Sequence, residues 1–222
     1  MVPPTSPAVP HFPAGLVTGF EAFGASVLNP SWMAAQALHG RQVVGHRVVA
    51  AQLPTAFGQS LEVLQALLQR HRPDLVLLCG QAGGRAALSL ERVAINVDDA
   101  RIPDNAGAQP IDTPVVAGGP AAYFTSLPIK AMLAALLAEG INAEVSQTAG
   151  TFVCNHAFYG LMHLLAQPGA HGARGGMVHL PWLPQQGQPS MRLDETVRGL
   201  RIAIECALTT VTDVRVGAGA LN

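Results

Sequence analysis

Short apolar runs alternate along the chain with segments whose apolar residues recur at helical spacing. GLVTGF, residues 15–20, predicts a buried strand. Asn29-Pro30 then opens a predicted helix through about Leu38, with Asn29 as N-cap and Pro30 in the first helical position. The Val-rich residues 42–52 predict a second strand. Residues 57–70 predict a helix with Leu61, Leu64, Leu67 and Leu68 on one face, ended near Pro73. DLVLLCG, residues 74–80, is a continuous apolar run suited to a central strand, and residues 87–97 alternate as a further strand. Residues 98–123 are irregular and rich in Pro, Gly and Asp, a length that points to function or an interface. Residues 126–139 predict a helix capped by Ser126 and ended by Gly140, and AEVSQT (143–148) predicts a strand. A helix over 154–166, a strand at GGMVHL (175–180) and a helix from about 191 to 208, capped by Ser190, complete the pattern.

This alternation predicts a single-domain α/β/α sandwich, with helices on both faces of a largely parallel, mixed and twisted sheet. The expected division is a loose Pro-rich tail over 1–13 and one domain over 14–222. Composition narrows the class. Of the 222 residues 49% are hydrophobic and 12% charged, too apolar for a disordered chain and consistent with a large core and a subunit interface. The formal net charge is -1 and no basic run occurs, which argues against a nucleic-acid partner. Three cysteines (Cys79, Cys154 and Cys206) make a poor disulfide framework and predict reduced thiols in the cytoplasm. No signal peptide is visible, and the longest apolar run, AMLAALLA, is too short to cross a bilayer.

In open α/β sheets, sites form at the carboxyl ends of strands. Three segments place polar groups there. In SQTAGTFVCNHAFYG (146–160), Cys154 falls where a helix begins. Helix-terminal N–H groups and the dipole favour thiolate and could receive an oxyanion, although most free cysteines are simple core residues. In GGMVHLPWLP (175–184), His179 is either a base at the sheet's edge or a hydrogen-bonded core histidine. In LCGQAGGRAALSLERVAIN (78–96), Glu91 interrupts an apolar strand and needs a partner, either a histidine to orient or a nearby arginine. Together they supply a nucleophile, a base and an orienting group. The glycines of GQAGGR fit neither common phosphate-loop spacing. A metal set drawn from Cys154, His156, His163, His171 and His179 is also a poor fit. His156 and His163 would lie about 10 Å apart along a helix, against roughly 2 Å for each zinc–ligand bond.

These segments resemble the pyroglutamyl peptidase type I (pyrrolidone-carboxylate peptidase) family of cysteine peptidases, from about Leu16 to about residue 206. SLERVAIN resembles the family's glutamate signature, VSQTAGTFVCN its cysteine signature and VHLPWLP its histidine region. The resemblance implies Glu91, Cys154 and His179 as a catalytic triad that removes N-terminal pyroglutamate from peptides through a thioester, with no metal or organic cofactor. GFEAFGASVLNPS resembles the segment whose Phe20 and Phe23 line the pocket for the substrate ring; Ala22 and Ala25 depart from the family's Pro and Gly there. By the same resemblance Gln81, Phe152, Val153, Thr55 and Ile102 belong to the pocket, and Arg101 lies beside the oxyanion. A homo-oligomer, tetramer or dimer, is also implied. Two other readings fit the α/β pattern: a catalytically weakened binding protein of this fold, and a nucleoside phosphorylase-like enzyme, which would not need Cys154.

Overall fold

A computed structural model of the chain describes residues 13–168, 170 and 172–219. All of the expected Pro-rich tail except Pro13 lies outside them. The first half of the chain forms β1 (Ala14–Phe20), α1 (Pro30–Leu38), β2 (Gln42–Val43), β3 (His46–Leu53), α2 (Gln59–His71), β4 (Leu75–Gln81), β5 (Leu88–Glu91) and β6 (Val93–Ile95). The second half forms β7 (Ala122–Phe124), α3 (Ile129–Ala138), β8 (Ala143–Ser146), α4 (Val153–Leu165), β9 (Arg174–Leu180) and α5 (Leu193–Thr209). Seven strands make one sheet in the order β2-β3-β1-β4-β9-β5-β8, and β6 pairs with β7 in a separate ribbon. β3, β1, β4 and β9 run parallel. β5 and β8 are parallel to each other, with β5 antiparallel to β9.

Both sheet faces are covered, as a mostly parallel sheet requires. In β4, Leu75, Leu77 and Cys79 join the core beneath α1, α3 and α5, while Val76 and Leu78 join the core beneath α2 and α4. The same alternation puts Val178 and Leu180 of β9 on the first face and Met177 on the second. Gly80, His179, Ser89 and Glu91 therefore all belong to the α4 face.

Asn29 caps α1 as expected, its side chain accepting from the Ser31 N–H, with Pro30 in the first turn. Five local expectations are corrected. The strand expected over 42–52 is a hairpin, β2 and β3, because Val44 and Gly45 both adopt positive φ. A β-branched residue seldom enters that region, so Val44 conceals the turn. The strand expected over 87–97 breaks after Glu91, where Arg92 reaches Gln147 and the Ala218 carbonyl and β6 leaves the main sheet. The irregular stretch 98–123 ends in β7. Ser126 does not cap α3; its hydroxyl exchanges hydrogen bonds with the backbone of Gly175. Nor does Ser190 cap α5. It bridges to Trp182, and the helix starts after Arg192, with Asp194 and Glu195 in its first turn.

Candidate active site

Cys154 is the second residue of α4. The chain leaves β8 at Ser146, turns through Gly150 at positive φ, and enters the helix with no side chain capping its first turn. The earliest N–H groups of α4 are thus left without intrahelical acceptors beside the sulfur. Two polar side chains hold the helix start. Asn155 accepts from the Ile95 N–H and donates to the Ile95 and Val97 carbonyls, fastening β6 to α4. His156 meets an Asp98 oxygen through Nδ1 at 2.7 Å and accepts the Gly58 N–H at Nε2. Both of its ring nitrogens are engaged, so it has none left for the neighbouring thiol.

His179 is different. Its Nδ1 lies 2.7 Å from Oε1 of Glu91, and a carboxylate can only accept, so Nδ1 carries the proton and Nε2 is left for the sulfur. Burial disfavours the imidazolium, but charge interaction and hydrogen bonding with Cys154 and then with Glu91 outweigh it and push the pKa up to about 9. Sulfur and ring meet over Gly80. A Cβ there would stand 2.8 Å from Cys154 Sγ and 2.9 Å from His179 Cδ2. Glycine at this position is a matter of room.

Glu91 is fully buried. It reaches the histidine across an antiparallel pair, since β5 registers Ser89 against His179 and places Glu91 diagonally beyond. The sites thus do not come from one carboxyl edge of a parallel sheet, as expected. β5 runs the other way, and its brevity brings its end beside the ring. Of the two partners open to Glu91, both are present. Oε1 also lies 2.7 Å from Nη1 of Arg85, while Oε2 has no partner among the described residues. Cys79 projects into the opposite core, where burial raises its thiol pKa to about 12, and Cys206 lies late in α5 against the Thr210 hydroxyl.

The family model for pyroglutamyl peptidase matches residues 14–210. A pyrrolidone-carboxylate peptidase 1 of Ralstonia nicotianae is 59% identical over 95% of this chain and 100% of its own length. The crystal structure of pyroglutamyl peptidase I from Bacillus amyloliquefaciens superposes with a TM-score of 0.90 at 45% identity, covering 92% of this chain and 99% of that one. The pyrrolidone carboxyl peptidase of Thermococcus litoralis gives 0.89 at 30% identity, over 92% and 99%. The chain belongs to the pyroglutamyl peptidase family.

The pocket positions that the pyroglutamyl peptidase resemblance implies fall into two groups. The Phe23 and Phe152 rings are tilted against each other with centroids 6.0 Å apart, and Phe57 packs edge-on against Phe152. A cleft of about 500 Å³ is lined by residues 23–28, Gln81, Trp182, Gln185 and Gln186, all uncharged. A second of about 340 Å³, beyond Phe152, is lined by Asp99, Arg101, Ile102 and Thr151. Phe20, Thr55 and Val153 are buried and line neither cleft. Thr55 donates to the Glu21 carbonyl.

The loop carrying Ala22 and Ala25 is tied at both ends. Asn105 donates to the Ala22 carbonyl and Asn29 to the Glu21 carbonyl. Gln186 reaches Ser26 Oγ, the Leu28 carbonyl and Gln81 Oε1, while accepting from the Leu183 N–H. Trp182, Gln186, Gly80 and Arg85 escape a reading of the sequence as site residues. The one available signal was the glycine cluster of CGQAGGR. Its purpose is clearance: Gly80 admits the sulfur and Gly83 the Trp182 ring, which a Cβ would meet at 2.3 Å.

Proposed function

We propose that this chain is a cysteine peptidase that removes pyroglutamate from peptide N-termini, with Cys154 as nucleophile, His179 as acid–base and Glu91 as the group that orients it. The observation that carries the reading is the meeting of sulfur and imidazole over Gly80, with Glu91 on the far ring nitrogen. His179 Nε2 takes the thiol proton, and the sulfur attacks the pyroglutamyl carbonyl. The oxyanion forms against the open N–H groups at the start of α4, where each donor could contribute about 3 kcal/mol. His179 then protonates the departing amine. It next takes a proton from the water that hydrolyses the thioester, and free pyroglutamate leaves.

Pyroglutamate is a neutral five-membered lactam with no ammonium to grip. An uncharged, aromatic-edged cleft that reaches Gln81, the residue after Gly80, suits it, with Gln81 and backbone amides to meet its N–H and C=O. A site built around the ring's polar atoms leaves those partners unsatisfied when the ring lacks them. Arg101 and Ile102 border the second cleft with Phe152, and the reading keeps Arg101 beside the oxyanion and Ile102 in the pocket, as the resemblance implies. The reading includes a single domain over 14–222 acting in the cytoplasm. Among the described residues no helix is long and apolar enough to cross a membrane. It also includes a homodimer or tetramer. The low charge fraction and the exposed apolar side chains of Ile111, Phe124 and Leu137 support assembly.

The test is turnover of fluorogenic amides. A pyroglutamyl amide is expected to be hydrolysed and the corresponding prolyl amide, which lacks the ring carbonyl, at most at a hundredth of that rate. Equal rates on both, or phosphorolysis of nucleosides instead, would contradict the assignment.

A further inference from the structure

We infer that Arg85 is a positioning residue for the reaction, holding Glu91 and the turn that delivers Cys154 in a single register. The inference rests on the catalytic roles proposed above. Arg85 lies in the loop between β4 and β5. One Nη1 is 2.7 Å from Glu91 Oε1, the same oxygen that binds His179, and 3.3 Å from Ser146 Oγ. Nη2 is 3.2 Å from the Thr148 carbonyl. Ser146 ends β8, and Thr148 stands in the turn that leads into α4. One planar guanidinium therefore spans the carboxylate behind the histidine and the segment ahead of the nucleophile. A rigid fork suits this bridge and a single ammonium cannot reproduce it.

The burial pattern strengthens the point. Glu91 has no exposed side-chain surface, whereas Arg85 keeps 28% of its own. A wholly buried carboxylate needs a cation or several donors to stay charged. The histidine cannot serve alone, because it must lose and regain its proton during each turnover. Arg85 supplies the positive charge that persists while His179 is neutral. The ionisable groups around Glu91 are Arg85 from its loop, His179 from β9 and Cys154 from α4, with Glu144 of β8 occupied by the Ser89 hydroxyl. Arg92 points away, toward Gln147. Removing Arg85 thus takes the one permanent cation from a coupled set. Without it His179 gives up its proton less readily, and the acidic limb of the rate profile moves to higher pH.

The experiment compares wild type, Arg85→Met and Arg85→Lys on a pyroglutamyl amide across pH, with melting temperatures recorded alongside. Arg85→Met is expected to lower kcat about 10- to 100-fold, the scale of losing a group that orients reacting ones. KM should stay within about twofold, because Arg85 is committed to protein partners, and the acidic limb should move up. Arg85→Lys should restore part of kcat and return the limb toward wild type, since it keeps the charge without the fork. Unchanged kcat in Arg85→Met overturns the inference. So does a loss that follows the melting temperature, with an unmoved pH profile and no recovery in Arg85→Lys. A wild type inert on the pyroglutamyl amide would instead sink the functional reading itself.

Discussion

His179 shows how much one side chain's surroundings decide. In the unfolded chain its imidazole has an ordinary pKa of 6.5; in the fold, Cys154 and Glu91 overcome burial and raise it to about 9. A pKa raised on folding stabilises the native state fully below 6.5, and that contribution is lost as pH rises through about 9. The stability advantage of wild type over His179→Gln, measured by urea midpoints from pH 6 to pH 10, should therefore shrink as pH rises. A gap that is constant or widens contradicts the assignment of charge. Loss of the imidazolium near pH 9 also removes the acid for the departing amine, so kcat/KM should fall there. At this scale the sequence was informative about identity and silent about pairing. Glu91 could be seen to need a partner, but SLERVAIN does not say whether histidine or arginine supplies it, and the fold uses both. His156, two residues from the thiol, is chemically equivalent to His179 on paper; only its bonds to Asp98 and the Gly58 N–H remove it from the chemistry.

Among the elements, α4 and the β6–β7 ribbon are joined by one side chain. Asn155 is fully buried and satisfies three backbone groups of residues 95–97. Asn155→Ala would strand those groups away from water, at a cost of about 1–3 kcal/mol for each left unsatisfied. The expected outcome is a clear drop in melting temperature; an unchanged one would show that water or backbone shifts replace the amide. Helices and central strands were legible because long apolar stripes and continuous Val and Leu runs survive tertiary context. What escaped was local backbone choice. Val44 in a left-handed conformation hides the β2–β3 turn, and over 87–97 the apolar positions change phase at the charged pair Glu91-Arg92, where the strand breaks. Ser126 and Ser190 look like caps in sequence but serve Gly175 and Trp182, contacts made across long chain separations.

For the whole molecule, an α/β sandwich with a mixed sheet follows from the order of elements, and the family model and solved relatives agree with it. The reversed strand β5 does not follow, since period and composition carry no strand direction. It is that reversal which sets Glu91 diagonally across from His179, behind the ring that meets Cys154 over Gly80. Asn105, Asn29 and Gln186 hold the pocket loop with Ala22 and Ala25 from both sides, so its geometry does not rest on its own residues alone. We propose that this convergence makes Cys154 the peptidase nucleophile. The most direct measurement is release of free pyroglutamate from a blocked peptide by wild type and by Cys154→Ala, with folding of both verified by circular dichroism. Release is expected from wild type in the presence of a thiol reductant and none above background from a folded Cys154→Ala; release by that variant at the wild-type rate would show that Cys154 is not the nucleophile.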